Sequence, residues 1–381
     1  MRFEWTDAQA AFRQKVQAFL RENLPADWDE IARHGPGSDT VSRFSRQFCG
    51  KLAAAGLLLP HWPKEWGGEG LDPWCQQILA EEMWAAGEPR GAQYMNVNWI
   101  GPTLIRFGSD EQRARYVPPI AAGNAIWCQG FSEPDAGSDL AALRTRATLE
   151  GDIYRIQGQK IWTSYASAAE TCFLLARTSA DRKRGISIFL VPMKTPGIDV
   201  RSIPSLVGDG DIHEVFFDNV VVPVGARLGE EGQAWDIINF ALAGERLGIP
   251  RYALAQRALD RAVRLLRSNA MFDNAQIRNL ASRAAALCEA ARLSSYQCTD
   301  HRVRTGTISP ETSAVRIATV MAERAVAEFV VEFVPDALCG GDPVLAEHHQ
   351  RAIVAGIAAG AAEIQMNIVA NDLLHLPREP R

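Results

Sequence analysis

The spacing of apolar residues changes twice along the chain, and this limits the possible folds more than any other feature. From Trp5 to about Ile120 apolar residues recur at helical spacing, as in DAQAAFRQKVQAFLREN, where we expect Asp7 to cap the helix. From about Gly123 to Leu228 the chain consists of short β-branched runs such as GISIFLVP, separated by Gly, Pro and Asp. From Gln233 to His375 long stretches rich in Ala, Leu and Arg return.

This order predicts an α+β fold that is mostly α-helical and has three domains. We expect residues 1–122 to form an N-terminal helical domain, residues 123–228 a small β-barrel or sandwich, and residues 229–381 an antiparallel four-helix bundle. With 381 residues, 47% of them hydrophobic, the chain is long enough to bury a sizeable core.

Charge and cysteine content argue against several classes of partner. A formal net charge of -5 creates no field that would attract nucleic acid or an anionic membrane. The seven cysteines include no C-x-x-C pair, so we expect mostly buried, reduced thiols and no metal site. No apolar stretch is long enough to cross a bilayer, so the expected location is cytoplasmic.

The stretch FSEPDAGSD, from Phe131 to Asp139, raises the first question of function. Gly137 and Ser138 are residues whose backbone N–H groups and hydroxyl suit a phosphate, and glycine tolerates positive φ. Three acidic residues in the same stretch would repel one. The residues alone leave two alternatives open, an anion-binding loop and a plain surface turn.

A longer segment around this loop resembles the flavin-dependent acyl-CoA dehydrogenases. The resemblance rests on WCQGFSEPDAGSDLAALRTRA, followed by GDIYRIQGQKIWTS and LLART. It extends to GLLLPHWPKEWGGEGL and RFGSDEQRARYVPPIAAGN upstream and to LAQRALDRA downstream, and is weakest in the C-terminal third. It implies noncovalent FAD as cofactor and α,β-desaturation of an acyl-CoA thioester as the reaction.

The resemblance also implies roles for individual residues of the β domain. Gly137 and Ser138 would lie along the FAD pyrophosphate, with Ser138 also near the substrate, while Glu133 and Asp139 point away into structural hydrogen bonds. The remaining residues implied at the flavin ring are Phe131, Ser132, Trp162, Thr163 and Ser164. Asp135 stands where many relatives have glycine, and a carboxylate near a diphosphate would lower the affinity unless it turns outward.

The catalytic base of this reaction must be a carboxylate that removes the α-proton. Many relatives carry it in a Tyr-Glu-Gly-Thr segment, but here Ala359 and Gly360 match its Glu and Gly. A minority carry it in a Glu-Arg-Leu segment, which matches Glu245 with Arg246 as supporting neighbour. A helical Glu is by default solvated, but apolar neighbours here would raise its pKa toward a useful range. Glu363 is the alternative base, four residues after Ala359.

The C-terminal third departs from the family pattern at residues that, in relatives, reach the FAD of a neighbouring subunit. Arg267, Phe272 and Gln276 are present with contracted spacing, and Gly340 and Gly341 of another FAD-contacting turn are retained. Asp273 replaces a glycine, and Pro250 should break the helix that follows the Glu-Arg-Leu segment.

These departures resemble divergent bacterial members that work as hetero-oligomers, and three hypotheses follow. The chain is an active acyl-CoA dehydrogenase, with electron-transferring flavoprotein as acceptor, working as a homo-oligomer or with a sister chain. Alternatively it is a non-catalytic partner subunit, or another flavoenzyme such as an oxidase or monooxygenase. The Ala358–Ala359 pair favours a branched, cyclic or bulky acyl group, in a pocket that also depends on Tyr94, Asn96 and Trp99.

Overall fold

The computed structural model describes residues 4–35, 37–206, 212–307, 309, 311–358 and 360–377. The chain divides into two compact units. One, the helical unit, comprises residues 1–33, 71–88 and 245–381, and the other, the sheet unit, comprises residues 34–70 and 89–244.

The sheet unit is built around one eight-stranded sheet. Its strands are β1 (Trp127–Gly130), β2 (Arg146–Glu150), β3 (Ile153–Ser164), β4 (Thr171–Arg177), β5 (Ile186–Pro192), β6 (Ile198–Ile203), β7 (Ile212–Pro223) and β8 (Arg227–Leu228). They pair in the order β6-β7-β3-β2-β4-β5-β8, and β1 pairs in parallel with β4 beside β2. The apolar runs of β4 and β5 are buried on both faces, an environment that suits β-branched and aromatic residues.

The helices of the sheet unit come from both of the segments that form it, residues 34–70 and 89–244. They are α3 (Asp39–Ala54), α5 (Gln93–Met95), α6 (Gly101–Phe107) and α7 (Asp110–Ala121), with a π-helical turn Asn96–Ile100 between α5 and α6. Helix α7 begins at a capping box, in which the Ser109 hydroxyl accepts from the Gln112 N–H and the Gln112 side chain accepts from the Ser109 N–H. Helix α8 (Ala234–Gly248) follows the sheet and ends four residues into the segment assigned to the helical unit.

The helical unit combines three early helices with the C-terminal bundle. Its helices are α1 (Asp7–Asn23), α2 (Trp28–Ala32), α4 (Pro73–Ala85), α9 (Arg251–Ser268), α10 (Ala275–Thr305), α11 (Thr312–Phe333), α12 (Pro343–Ile353) and α13 (Ala362–Ile368). Helices α9 to α12 enclose an apolar core with many alanines, among them Ala255, Ala258 and Ala262. Alanine at these positions lets neighbouring helices approach closely, since packing distance depends on side-chain size.

A buried carboxylate links the early helices to the bundle. Glu81 of α4 accepts hydrogen bonds from Arg13 Nη2 at 2.8 Å, from the Tyr252 hydroxyl at 2.6 Å and from the Tyr296 hydroxyl at 2.9 Å. Gln77, one turn earlier, donates to the Tyr252 hydroxyl at 2.9 Å. Three donors to one carboxylate offset the cost of burying its charge.

The predicted fold class is confirmed, since helices precede and follow a sheet and the C-terminal third is a bundle. The cap of α1 was predicted one residue late, because the Thr6 side chain accepts from the Gln9 N–H while Asp7 is the first helical residue. Pro250 breaks the helix as expected, since α8 ends at Gly248 and α9 begins at Arg251. The boundaries between the three predicted domains remain a prediction.

Two further observations bear on the sequence-based expectations. Six of the seven cysteines are buried, and Cys339 is exposed. Within the ranges that the structure describes, no helix is both long and apolar enough to span a bilayer.

Candidate active site

The loop from Phe131 to Leu143 leaves β1 and turns sharply at its tip. Glu133 and Ala136 exchange two backbone hydrogen bonds, at 2.9 and 3.0 Å, which close the turn over Pro134 and Asp135. Beyond the turn, Gly137 and Ser138 are exposed, and their N–H groups have no partner among the described residues. These two free donors are what an anionic group could bind.

The role of Gly137 in this loop is not the tolerance of positive φ that the sequence suggested. Its φ does not lie in the left-handed region, so the backbone conformation does not require glycine. A methyl group added at this position would meet no atom within 4 Å. The glycine therefore leaves open space above the loop rather than enabling a special turn.

The acidic side chains of the loop point into hydrogen bonds within the protein, as predicted for Glu133 and Asp139. Glu133 accepts from Lys160 Nζ at 2.8 Å and from the backbone N–H groups of Arg144 and Thr145 at 2.5 and 2.8 Å. Asp139 pairs with Arg182 at 2.6 Å on the surface. Asp135 also turns outward, toward the exposed Arg144 at 3.4 Å.

Strand β3 contains a bulge that turns Trp162 outward. The pairing of β3 with β7 shifts between Lys160 and Thr163, so two residues of β3 lie opposite one of β7. Trp162 has φ of 59°, a left-handed conformation that is rare for a bulky residue, and its side chain is 58% exposed. Strain and exposure of this kind are typical of functional positions.

The bulge is fixed by a buried histidine. His213 Nδ1 lies 3.2 Å from the Thr163 carbonyl oxygen, and burial lowers the pKa of His213, so a neutral imidazole can donate to that oxygen. Thr163 is itself buried, and its Oγ1 has no hydrogen-bond partner among the described residues. The hydroxyl is thus available to a group that the protein does not supply.

The loop and the bulge are joined into one surface. The Ile161 N–H donates to the Ser132 carbonyl oxygen at 2.9 Å, and Lys160 Nζ donates to the Phe131 carbonyl oxygen at 3.1 Å. The Phe131 ring packs against Phe173 with centroids 5.9 Å apart. The structure therefore brings together the residues predicted at the flavin ring: Phe131, Ser132, Trp162, Thr163 and Ser164.

This surface fits a flavin with a phosphate-bearing arm. It offers an exposed indole, an orphaned buried hydroxyl and, on the loop joined to it, two unpartnered N–H groups in open space. The indole and the hydroxyl suit a flat ring with a polar edge, and the two N–H groups suit an anion.

Two buried polar groups near α5 and α6 also lack partners. Asn96 donates to the Ala125 carbonyl oxygen at 2.5 Å, but neither its Oδ1 nor Trp99 Nε1 has a partner in the part of the chain described. Gly244, which precedes Glu245, packs against this turn, since an added methyl would lie 3.1 Å from the Asn98 carbonyl oxygen and 3.2 Å from Trp99 Cβ. The predicted dependence of a substrate pocket on Asn96 and Trp99 remains a prediction.

Glu245 lies in the last turn of α8 and is partly buried. Burial lowers the pKa of Arg316 in α11, as does the charge of Arg251, and the carboxylates of Glu323 and Glu245 oppose that shift. Glu245 therefore lies in the field of a buried arginine rather than in the wholly apolar setting that its sequence neighbours indicated. The side chain of Arg246 lies outside the described residues.

The second candidate base is placed differently from the expectation. Helix α13 begins only at Ala362, after Ala361 with extended φ and ψ of -52° and 142°. Glu363 is therefore in the first helical turn and exposed. A helical face shared with Ala359 required an earlier start of the helix, and Ala359 itself lies outside the described residues.

Sequence reasoning missed a cluster of buried charges beside Glu245. Glu323 is 1% exposed and lies between Arg251 Nη1 at 3.8 Å and Arg316 Nη1 at 3.9 Å. Neither carboxylate oxygen has a hydrogen-bond partner among the described residues, and burial raises the pKa of Glu323 despite the surrounding arginines. The signal in the sequence is that Arg316 and Glu323 lie two helical turns apart in a largely apolar helix.

Arginines of α11 also hold the turn that follows α12. Arg316 Nη2 donates to the Ala358 carbonyl oxygen at 2.9 Å, and Arg324 Nη2 donates to the Ala355 carbonyl oxygen at 2.8 Å. Arg316 thus connects the turn that carries the base in many relatives with the field at Glu245.

The remaining predicted cofactor residues lie at one end of the bundle core. The Arg267 guanidinium stacks over the Phe272 ring at 5.1 Å, where α9 ends. Gln276 is exposed in the first turn of α10, and Gly340 and Gly341 end the turn Ala337–Gly341 before α12.

Comparison with known proteins assigns all three parts of the chain to one family. Family models of the acyl-CoA dehydrogenases match residues 6–124 as the N-terminal domain, 128–220 as the middle domain and 232–374 as the C-terminal domain. Acyl-CoA dehydrogenase IpdE1 of Mycobacterium tuberculosis is 37% identical over 279 residues, which cover 72% of this chain and 72% of that protein.

Solved structures agree over the whole chain. A structure described as the Tcur3481-Tcur3483 steroid ACAD has a TM-score of 0.91 and 29% identity, and the match covers 100% of both chains. The ChsE4-ChsE5 complex from Mycobacterium tuberculosis has a TM-score of 0.88 and 27% identity, covering 99% of this chain and 100% of that one. The chain is therefore a member of the acyl-CoA dehydrogenase family.

Proposed function

We propose that this chain is an FAD-dependent acyl-CoA dehydrogenase, which removes two hydrogens from an acyl-CoA thioester and leaves a double bond between the α- and β-carbons. The observation that carries the proposal is the surface at Trp162. An exposed indole held in a left-handed bulge has no evident structural purpose, and the loop bonded to that bulge offers free N–H donors.

The residues of the sheet unit would hold the cofactor. When bound, FAD accepts the hydride that leaves the β-carbon. Trp162 gives its ring a flat apolar wall, the hydroxyls of Ser132, Thr163 and Ser164 serve its polar edge, and the N–H groups of Gly137 and Ser138 bind the pyrophosphate. Water is excluded on the loop side by Phe131, which packs against Phe173.

Glu245 would act as the general base. The thioester carbonyl acidifies the α-carbon, and the carboxylate accepts the α-proton as the β-hydride departs, so that both hydrogens are accounted for. Arg316 favours the ionised carboxylate that this step needs, because a nearby positive charge stabilises the negative one. Arg246 would support the site, as the family resemblance implies.

We further propose that the active protein is an oligomer, formed with a second copy or with a sister chain. The family resemblance implies that Arg267, Phe272 and Gln276 reach the FAD of a neighbouring subunit, and that Gly340 and Gly341 belong to another turn that contacts FAD. The stacking of Arg267 on Phe272 fixes a cation at the end of α9 that is suited to the same use. Electron-transferring flavoprotein is the proposed acceptor.

The proposed substrate carries a bulky, cyclic acyl group. The volume removed at Ala358 and the break at Pro250 favour such a group, and a structural relative is described as a steroid ACAD. Asn96 Oδ1 and Trp99 Nε1, both buried without partners among the described residues, offer polar recognition of a functionalised ring.

A second candidate function is that of a silent partner subunit, whose sister chain carries the catalytic base. The replacement of a family glycine by Asp273, beside Phe272, favours it, because a carboxylate weakens binding of a diphosphate. A flavin oxidase or monooxygenase is the third, and rapid turnover with oxygen as sole acceptor would identify it.

The decisive experiment is anaerobic reduction of the purified protein, alone and co-expressed with a sister chain, by linear, branched and polycyclic acyl-CoA thioesters. We expect a yellow protein whose flavin is bleached by the correct thioester. Glu245→Gln keeps the size of the side chain and removes the base, so flavin should be retained while bleaching slows by roughly 10²–10⁴-fold, the contribution of a positioned base.

The matched control is Glu363→Gln, a carboxylate on an exposed helix face, which should leave the rate close to that of the wild type. Normal rates of flavin bleaching in both variants would indicate that the catalytic base belongs to the sister chain. A preparation that remains colourless with every partner would exclude the flavoenzyme proposal.

A further inference from the structure

Beneath the proposed flavin surface lies a lysine–glutamate pair that is almost completely shielded from solvent. The Lys160 side chain is 0% exposed and that of Glu133 is 7% exposed, and Lys160 Nζ lies 2.8 Å from Glu133 Oε1. Lysine is rarely buried so fully, even in a pair. The pair takes no part in the proposed chemistry, so its presence needs another explanation.

The pair connects three points of the backbone. Lys160 Nζ donates to the Phe131 carbonyl oxygen at the start of the loop, at 3.1 Å. Glu133 accepts from the N–H groups of Arg144 and Thr145 at the end of the loop, at 2.5 and 2.8 Å. Lys160 itself belongs to β3, immediately before the bulge, so the two side chains join both ends of the loop to the strand that presents Trp162.

Burial and mutual attraction act differently on the two members of the pair. Burial lowers the pKa of Lys160 to about 8, although the charge of Glu133 opposes that shift. Burial also disfavours ionisation of Glu133, but the charge of Lys160 and the hydrogen bonds hold the pKa of that carboxyl below its ordinary value. For the lysine, the cost of desolvation exceeds the attraction, as it commonly does in buried ion pairs.

We propose that Lys160 and Glu133 are positioning residues that fix the loop relative to the bulge, and thereby set the affinity of the chain for FAD. This inference rests on the proposed function, because it assigns the cofactor to that surface. Among the described residues, one other backbone hydrogen bond joins the loop to the bulge, from the Ile161 N–H to the Ser132 carbonyl oxygen, and one such bond does not fix a loop of this length.

The test compares two double variants in the full-length protein, with its sister chain if one is needed for flavin binding. Lys160→Met with Glu133→Gln removes both buried charges and keeps one carbonyl oxygen, which can accept from one of the two N–H groups that bond to different oxygens of the carboxylate. Asp139→Asn with Arg182→Met is the matched control, because Asp139 lies on the same loop and pairs with Arg182, but the two side chains are 56% and 65% exposed. The flavin-free proteins are titrated with FAD, and their midpoints of thermal unfolding are measured.

We expect the buried-pair variant to lose about tenfold or more in FAD affinity, the scale of supporting residues behind a bound group, while its flavin-free midpoint stays near that of the wild type. The control should change neither quantity. Unchanged FAD affinity would overturn the proposal, and so would a loss of affinity no larger than the loss of stability predicts. Glu133→Gln alone is the milder variant, and it should lower the affinity in the same direction.

Amide hydrogen exchange of the flavin-free protein makes the test independent of the cofactor assignment. The Ile161 N–H should exchange at least about tenfold faster in the buried-pair variant than in the control, because the bulge and the loop then separate more readily. If the wild type binds no FAD, the proposed function fails while this measurement still decides the positioning role. Equal exchange in both variants would refute that role even if FAD binds.

Discussion

Replacing Arg316 by methionine should destabilise the protein by an amount that depends on pH. Methionine has similar length but no charge, so the substitution removes one of the two described guanidinium groups within 4 Å of Glu323, which are at 3.8 and 3.9 Å. It also removes the hydrogen bond to the Ala358 carbonyl oxygen. Breaking a buried pair by deleting one partner typically costs about 3–5 kcal/mol, because a charge is left without compensation.

The dependence on pH follows from the titration of Glu323. Burial already raises its pKa above the value in the unfolded chain, and loss of a cation raises it further. The native state of the variant then binds a proton that the unfolded state has released, so the free energy of unfolding falls as pH rises through the native pKa. At low pH the protonated carboxyl needs no cation, and most of the loss should disappear.

Urea denaturation at pH 5.5 and pH 8 measures this effect. Arg302→Met is the matched control, because burial also lowers the pKa of Arg302, whose described side-chain partner is the neutral Gln76 at 3.4 Å. We expect the loss for Arg316→Met to be larger at pH 8, and the loss for Arg302→Met to be the same at both pH values. A loss for Arg316→Met that does not vary with pH would show that Glu323 does not depend on that cation.

Three other predictions concern the cofactor, the bundle and the assembly. Ser138→Leu should weaken FAD retention in equilibrium dialysis, because it covers the N–H groups proposed to bind the pyrophosphate, whereas Ser179→Leu, at another exposed loop of the sheet unit, should not. His348 is buried with its pKa lowered to about 4 from 6.5, so the free energy of unfolding should fall by about 3 kcal/mol as pH drops from 7.5 to 4, and His348→Gln should flatten that profile. Light scattering should show at least a dimer carrying flavin, and a stable flavin-loaded monomer would contradict the proposed assembly.

The order of helices and strands was predictable because it depends on local periodicity. The prediction of Asp7 as the cap of the first helix was an avoidable error. Thr6 and Gln9 form a capping box, and its pattern T-x-x-Q is visible in the sequence. The acidic residues of the loop were also interpreted correctly. That orientation followed from the resemblance to a family rather than from the residues alone, and the partners Lys160 and Arg182 were not predicted.

The conformation of Trp162 could not be predicted in this way. Its left-handed φ depends on one extra residue in β3 relative to β7, and the partner that fixes the bulge, His213, lies 50 residues beyond Thr163. A bulge of this kind is a property of how two strands pair. Local sequence specifies only that Trp162 belongs to a strand.

The charged cluster in the bundle escaped detection for a similar reason. Arg251 and Glu323 belong to different helices, and each one in its own helix resembles an ordinary surface residue. Only the packing of α9 against α11 buries them together. Arg316 of α11 and Glu245 of α8 also interact across two helices, although the sequence neighbours of Glu245 alone had suggested an apolar setting.

The hydrogen bonds to Glu81 have a consequence for synthesis of the chain on the ribosome. Its two tyrosine donors follow 171 and 215 residues later, and the sequence between α4 and Tyr252 includes the entire sheet. At translation rates of roughly 5–20 residues per second, α4 waits about 10–40 s for these partners. During that interval Arg13 of α1 is the one described partner of Glu81 that has already been synthesised, so α4 can pair with α1 but cannot yet dock on the bundle.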